Sequence, residues 1–205
     1  MSAAKLRLIN LALAHLGEGA VSSLEDDPRP PKLTKALAQY DAVLDAALQR
    51  APWLCAVESR TLALITPPAE GWRDWRYSSR YQLPGEYLKL WWVDGAHTFA
   101  WQAGTDLDGN GAVRRYVRAE GSEALNVDMA VRRPAEALTP LLFMAVSLDL
   151  AAHLAGPIQQ ADGRALLERA RLAYEQAEGA EVTEIGGQAP PFAGGPLEAA
   201  RRSAP

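Results

Sequence analysis

A helix that runs into a Pro-Trp pair is the feature that most constrains this fold. The segment from Tyr40 to Arg50 is rich in alanine and leucine, and Pro52 and Trp53 come just after it. Proline has no N–H to donate and disfavours helical backbone at the preceding residue, so the helix has to end here. The residues from Trp53 to Ala56 are apolar. We therefore predict that Trp53 anchors a turn in a hydrophobic core.

Patterns typical of helices occur on both sides of the middle third of the chain. Apolar residues recur at helical spacing over four segments, and helix ends are indicated by Gly17, Pro52 and the pair Gly156-Pro157. The predicted helices cover about 2–16, 31–50, 140–155 and 160–178. The third of these is apolar on nearly every side, which predicts a helix buried by its neighbours.

The middle of the chain has a different pattern of residues. Short runs rich in β-branched and aromatic residues alternate with turn residues, which is typical of strands. The predicted strands are Arg60–Ile65, Tyr87–Val93, His97–Gln102 and Val113–Arg118. Asp94-Gly95 suits a type I′ turn and predicts a hairpin that joins two of them. We therefore expect a small antiparallel sheet inserted between helices.

These patterns predict a mainly α fold, namely an α-helical bundle with an inserted small antiparallel β-domain and an extended C-terminal arm. The expected helical domain comprises residues 1–56 and 132–183, and the expected β-domain comprises residues 57–131. Residues 184–205 are rich in glycine and proline and cannot build a core. In this arm Ile185, Phe192 and Leu197 are spaced like anchors, so we predict that it docks on a neighbouring subunit.

The composition of the chain argues against several classes of protein. Hydrophobic residues are 48% and charged residues 22% of the chain, as in ordinary globular domains. A net charge of −4 argues against a protein that wraps nucleic acid by neutralising phosphates. Cys55 is the only cysteine, so an intrachain disulfide is impossible. The apolar stretch 141–155 is too short to span a bilayer, and we expect a soluble protein without membrane contact.

The chemistry-bearing residues do not form a recognisable reaction centre. Asp149 and His153 are four residues apart and share one face of the most apolar helix. Such a dyad would orient a nucleophile in a hydrolase, but the chain contains no nucleophile signature. We interpret the two residues as a buried polar pair or as a pair directed at a neighbouring subunit.

Metal and cofactor sites are not expected either. Asp106–Gly111 resembles the first half of a calcium loop, but position twelve is Val117 instead of glutamate. We read this segment as a glycine-rich turn. His15, His97 and His153 have no metal-ligand spacing. The sequence therefore predicts no catalytic residue, no cofactor, no metal ion and no enzymatic activity.

Aromatic residues are concentrated in the β region. Five of the six tryptophans fall between Trp72 and Trp101. In a strand of period two, Trp91 and Trp92 point to opposite faces, so we expect one to pack inward and the other to be exposed. Exposed rings of this kind suit a protein interface better than a sugar site. Nearby arginines give the sheet a basic character, which we interpret as a solvated face: Arg73, Arg76, Arg80, Arg114, Arg115 and Arg118.

Three stretches, in order, resemble the tail tubular protein A family of podophages, a group of head-to-tail adaptors. Tyr40–Trp53 resembles the family's segment YD..RD..LR.HPW.FA, although Leu44 and Ala51 replace an arginine and a histidine, and Leu54-Cys55 an Asn-Phe pair. The stretch 13–27 is similar to AL..LG...I.SL.D, and the stretch 81–90 is similar to Y.LP.D.L.V. What carries the resemblance is the order and spacing of these stretches.

The resemblance implies a structural virion protein at the head-tail junction, assembled in the cytoplasm of a bacterial host. It implies a ring, of twelve subunits in the family, beneath the portal protein and above a tail or nozzle protein, with DNA passing through without sequence-specific binding. The tentative interface residues are Trp91, Trp92, Asp149, His153, Ile185, Phe192 and Leu197. Two alternatives stay open, a carbohydrate-binding or carbohydrate-active tail module that uses the aromatic cluster of residues 72–101, and a stand-alone nucleic-acid-binding domain, which the acidic balance opposes.

Overall fold

The computed structural model describes residues 3–65, 77, 79–94, 101–107, 113–119 and 124–184. The chain divides into two compact units, one formed by Met1–Cys55 with Arg133–Pro205 and the other by Ala56–Arg132. Helices make up 48% and strands 25% of the described residues. The prediction of a mainly α protein is therefore wrong, because the inserted region contributes two sheets and makes the fold a mixed α and β one.

The helical unit contains four α-helices: α1 (Ala3–His15), α2 (Pro31–Leu48), α3 (Pro140–Gln159) and α4 (Arg164–Glu184). Helix α1 ends in a Schellman arrangement, in which Gly17 has a φ of +72° and the N–H of Glu18 donates to the Leu13 carbonyl. Pro31 opens α2, where proline loses no hydrogen bond because the first N–H groups of a helix have no helical partner.

The two C-terminal helices are longer than the sequence predicted. Helix α3 runs through Gly156-Pro157 and ends at Gln159, and the capping residue Gln160 that follows has a φ of 55°. The predicted stop is wrong because proline removes only the bond to the fourth residue before it, and the bonds on either side carry the helix on. Helix α4 extends six residues past the predicted end at Glu178.

Helix α3 is the centre of the helical unit and contacts α1, α2 and α4. Eleven of its residues are buried, including Leu142, Leu150 and Leu154. Its 20 residues are also enough, by length and composition alone, to cross a membrane, which corrects the prediction of a shorter stretch. Its most apolar window is 61% buried inside the protein, as expected for a core helix.

The β unit consists of two antiparallel three-stranded sheets, with orders β1-β6-β3 and β2-β5-β4. Their strands are β1 (Val57–Leu62), β2 (Ser79–Gln82), β3 (Tyr87–Val93), β4 (Trp101–Leu107), β5 (Val113–Ala119) and β6 (Leu125–Val131). Both sheets contribute one face to a common core, which includes Tyr81, Val117 and Met129. Strands β3 and β4 lie on either side of the predicted Asp94-Gly95 turn, but they pair with β6 and β5 in different sheets, so the predicted hairpin between them is wrong. Gly95 and most of the glycine-rich turn lie outside the described residues.

Strand β3 departs from simple alternation. Its pairing with β6 shifts between Tyr87 and Lys89 and again between Leu90 and Trp92, which marks two β-bulges. Each bulge adds one residue, so Tyr87, Leu90 and Val93, three apart in sequence, all reach the same core. The strict alternation on which the expectation for Trp91 and Trp92 rests does not hold here, because Trp91 is the unpaired residue of the second bulge.

Candidate protein interface

A polar cluster on α3 and α4 contains two of the predicted interface residues. The Tyr174 hydroxyl donates to Oδ2 of Asp149 at 3.0 Å, and Nε2 of His153 lies 3.6 Å from the other carboxylate oxygen. Tyr174 is buried, Asp149 is half-buried and His153 is 52% exposed. The structure thus brings Asp149 and His153 together and gives Asp149 a buried partner.

The electrostatics of this cluster keep Tyr174 protonated. Burial raises the pKa of the phenol most, and the charge of Asp149 and its hydrogen bond raise it further. A neutral phenol donates to the carboxylate, so Asp149 is held by a charge-assisted hydrogen bond. The arrangement fixes the orientation of one negative charge next to an exposed imidazole.

The cluster continues along α4 to the end of α2. The guanidinium of Arg50 lies 4.6 Å from the ring centroid of Tyr174, and its Nε is 3.3 Å from a carboxylate oxygen of Glu178. The Tyr174 ring also packs against Trp53, with centroids 6.4 Å apart. We call Arg50, Asp149, His153, Tyr174 and Glu178 the Asp149 cluster. Its charged ends face solvent, and its aromatic base is buried.

The Pro-Trp turn is held from both sides. The indole N–H of Trp53 donates to the Ala47 carbonyl at 2.7 Å, and Trp53 is 1% exposed, which confirms its predicted place in a core. The backbone N–H of Leu54 donates to the buried carboxylate of Glu181 at 2.8 Å. Leu54 is exposed, and so is Val182, the residue after Glu181. Both residues lie near the C-terminal end of helix α4.

The two predicted tryptophans lie in the other unit. Trp92 is exposed and is paired in register with Asp128, which in turn is paired with Ser59 across the sheet. Nζ of Lys89 lies 3.8 Å above the ring of Trp91, and burial lowers the pKa of this lysine. Trp91 is thus partly covered by a cation, and Trp92 is the more accessible ring. The remaining three interface residues, Ile185, Phe192 and Leu197, lie outside the described part of the chain.

The helical unit also contains a His–Ser contact. Nε2 of His15 is 3.2 Å from the Ser147 hydroxyl, which donates to the Met144 carbonyl. Ser147 is completely buried, so a substrate has no access to its oxygen. Among the described residues, no group of three or more His, Cys, Asp or Glu side chains is placed to hold a metal ion. What the described polar groups offer is an oriented charged surface.

Sequence reasoning missed Arg50 and Glu178 as members of this surface, and Glu181 as the buried acceptor at the Pro-Trp turn. A signal existed for Glu181, which continues the buried stripe of Ala170, Tyr174 and Ala177 by four residues. A carboxylate in an apolar stripe has to find a hydrogen-bond donor. The predicted end of the helix at Glu178 concealed this position. The pairing of Tyr174 with Asp149 joins two helices and has no local signal.

No protein-family model and no curated protein matches this sequence.

Proposed function

We propose that the chain is a structural subunit of a phage head-to-tail adaptor, which assembles as a ring beneath the portal and links the capsid to the tail. The observation that supports this function best is the division of the chain. Both ends of the sequence build one helical unit, and a separate β unit is inserted between them. Such a subunit can hold its ring neighbours with one unit while the other contacts a different component.

The surfaces of the helical unit also support an assembly role. The Asp149 cluster presents polar groups of His153, Arg50 and Glu178 to solvent above the buried ring of Tyr174. Leu141 and Met144, one turn apart on α3, add exposed apolar surface. Protein interfaces commonly combine apolar anchors with a charged rim. In this proposal the ring partner is a second copy of this chain, and the other partners are a portal and a tail or nozzle protein.

Size-exclusion chromatography with light scattering tests the proposal. We expect a monomer alone and a large complex after mixing with the portal protein of the same genome. The double variant Asp149→Ala/His153→Ala should weaken that complex while the monomer stays folded. Arg164→Ala serves as a control, since this arginine is exposed and forms an ion pair with its sequence neighbour Asp162. An unchanged elution profile in the presence of the portal contradicts the proposal.

A carbohydrate-binding module is the second candidate, and the row of Trp92, Asp128 and Ser59 supports it. An exposed ring beside a carboxylate and a hydroxyl is a combination that sugars recognise. Binding to host-surface polysaccharide that is lost in Trp92→Ala and kept in Leu54→Ala would favour this candidate over the adaptor. Carbohydrate-active chemistry is not part of this candidate, because it needs an acid-base pair that the row does not contain.

A further inference from the structure

Most of the exposed apolar side chains of the helical unit lie at one end of it. Six large apolar side chains are exposed among the described residues of this unit. Two of them, Leu167 and Leu172, lie further back along α4. The other four lie around the last turns of α4 and the first turns of α3, and we call them the apolar end: Leu54, Leu141, Met144 and Val182. Exposed apolar side chains that lie together are typical of a binding surface.

Contacts of the Pro-Trp turn bring these side chains to one place. The Leu54 N–H donates to the carboxylate of Glu181, and Val182 is the next residue along the chain. The thiol of Cys55 accepts a hydrogen bond from the N–H of Thr139, immediately before α3 begins. Helices α3 and α4 are antiparallel neighbours, so the end of α4 lies beside the start of α3. Three separate parts of the chain therefore form the apolar end.

The C-terminal arm, residues 185–205, is the segment of this chain that starts at the apolar end. It follows directly on Glu184, the last residue of α4. Its large apolar residues are Ile185, Phe192 and Leu197, and its glycine and proline content leaves it without a core in which to bury them. The arm therefore needs an apolar surface, and the apolar end offers one next to its first residue.

We propose that the C-terminal arm binds the apolar end of its own chain. In this arrangement Phe192 packs on Leu141 and Met144. The rise of α4 and the spacing of packed helices place Met144 about 15 Å from the last turn of α4. An extended segment advances about 3.3 Å per residue, so Phe192 reaches Met144 even after a reversal of the chain at Gly186-Gly187.

The position of the apolar end favours the arm of the same chain over the arm of a neighbouring subunit, which the composition of the arm alone had suggested. A segment tethered beside its binding surface has a local concentration on the order of millimolar. The arm of a second chain has to compete with that concentration. The bound arm shields the apolar end in the free chain, so a partner reaches Leu141 and Met144 only when the arm leaves. Surface and occupant both belong to this chain, so the inference does not depend on the adaptor function.

Electron paramagnetic resonance of a spin label in the arm tests the proposal on the full chain. Cys55 is the only cysteine, so Cys55→Ala combined with Ala193→Cys gives a single labelling position next to Phe192. We expect the spectrum of an immobilised label, with an immobilised fraction that stays constant when the protein is diluted. Phe192→Ser removes the main anchor of the arm and should make the label mobile.

Variants of the receiving surface test the other half of the contact. Leu141→Ser/Met144→Ser should also make the label mobile, because the arm loses the side chains on which Phe192 packs. Leu172→Ser is the matched control, since Leu172 is an equally exposed apolar residue that lies about 15 Å from Val182 along α4. The control should leave the immobilised fraction unchanged.

Three results would overturn the proposal. A mobile label in the chain with an unaltered arm means that the arm is free. An immobilised fraction that falls on dilution means that the arm binds a second chain. Equal immobilisation in Leu141→Ser/Met144→Ser and in Leu172→Ser means that the arm is held elsewhere. Circular dichroism checks the folding of each variant, and if the double variant unfolds, Phe192→Ser decides, since it leaves residues 1–184 unchanged and an immobilised label there would also overturn the proposal.

Discussion

Replacing Trp53 is the most direct perturbation of the helical unit. Its indole packs against the ring of Tyr174 and donates a hydrogen bond to the Ala47 carbonyl near the end of α2. Trp53→Ala removes both contacts and leaves a cavity in the core. Trp53→Phe keeps an aromatic ring but removes the hydrogen bond.

The structure sets the size of the expected losses. Truncation of a fully buried tryptophan to alanine costs about 3–5 kcal/mol of unfolding free energy. The phenylalanine variant should lose about 2 kcal/mol, of which about 1 kcal/mol comes from the hydrogen bond. Because domains are stable by only about 5–15 kcal/mol, the alanine variant should lose a large fraction of the protein's stability. Leu54→Ala, at the next residue, is the control and should cost less than about 1 kcal/mol, since Leu54 is half exposed.

Urea unfolding followed by circular dichroism of the helices measures these differences. The midpoints should follow the order of the unaltered protein, Leu54→Ala, Trp53→Phe and Trp53→Ala. A slope that changes along with the midpoint would indicate a change in the unfolded state, so both are fitted. A loss below about 1 kcal/mol in Trp53→Ala would refute the claim that this side chain anchors the turn.

Three further predictions concern glycine, tyrosine and glutamate positions. Gly163→Ala should destabilise the protein by about 1–3 kcal/mol, because the new Cβ would clash with the Ala152 carbonyl oxygen. Gly179→Ala, in open space within α4, should stabilise it by about 0.5–1 kcal/mol in the same urea assay. Burial raises the pKa of Tyr40 to about 12, from about 10 in an unfolded chain. The stability of the folded protein should therefore fall as the pH rises from about 10 to 12. Tyr40→Phe should make the melting temperature decline less over this range. Glu181→Ala should lower the unfolding free energy by about 1.5–3 kcal/mol, because the Leu54 N–H loses a charged acceptor. Glu178→Ala removes an exposed ion pair with Arg50 and should lower it by at most about 1 kcal/mol. Equal losses of stability in the two variants, measured by calorimetry, would contradict this difference.

The sequence predicted the helices where local chemistry decides their ends. Gly17 ends α1 and Pro31 begins α2, since each residue acts through its own backbone. At Gly156-Pro157 local chemistry predicted a stop, but α3 continues to Gln159, because proline removes only one hydrogen bond of the helix. Helix α4 is longer than predicted because its buried stripe reaches Glu181. In α4, tertiary burial, which a single sequence does not display, outweighed the local signal.

In the β unit, some features had a signal in the sequence and others had none. β6 alternates apolar residues from Leu125 to Val131, so its sequence did contain a strand signal that the prediction overlooked. The bulges in β3 are different, because they depend on pairing with β6 and have no local marker. Asp149 and His153 were recognised by their spacing on one helix. Tyr174 and Arg50 were not linked to them, since their contacts join separate helices.

Electron microscopy of negatively stained particles, prepared from this protein and the portal protein of the same genome, tests the central claim most directly. The adaptor proposal predicts a ring of added density on one side of the portal, with an open channel along its axis. That density should be absent when the portal is imaged alone. Portal particles that look the same with and without this protein, at concentrations well above those of the portal, would contradict the proposal.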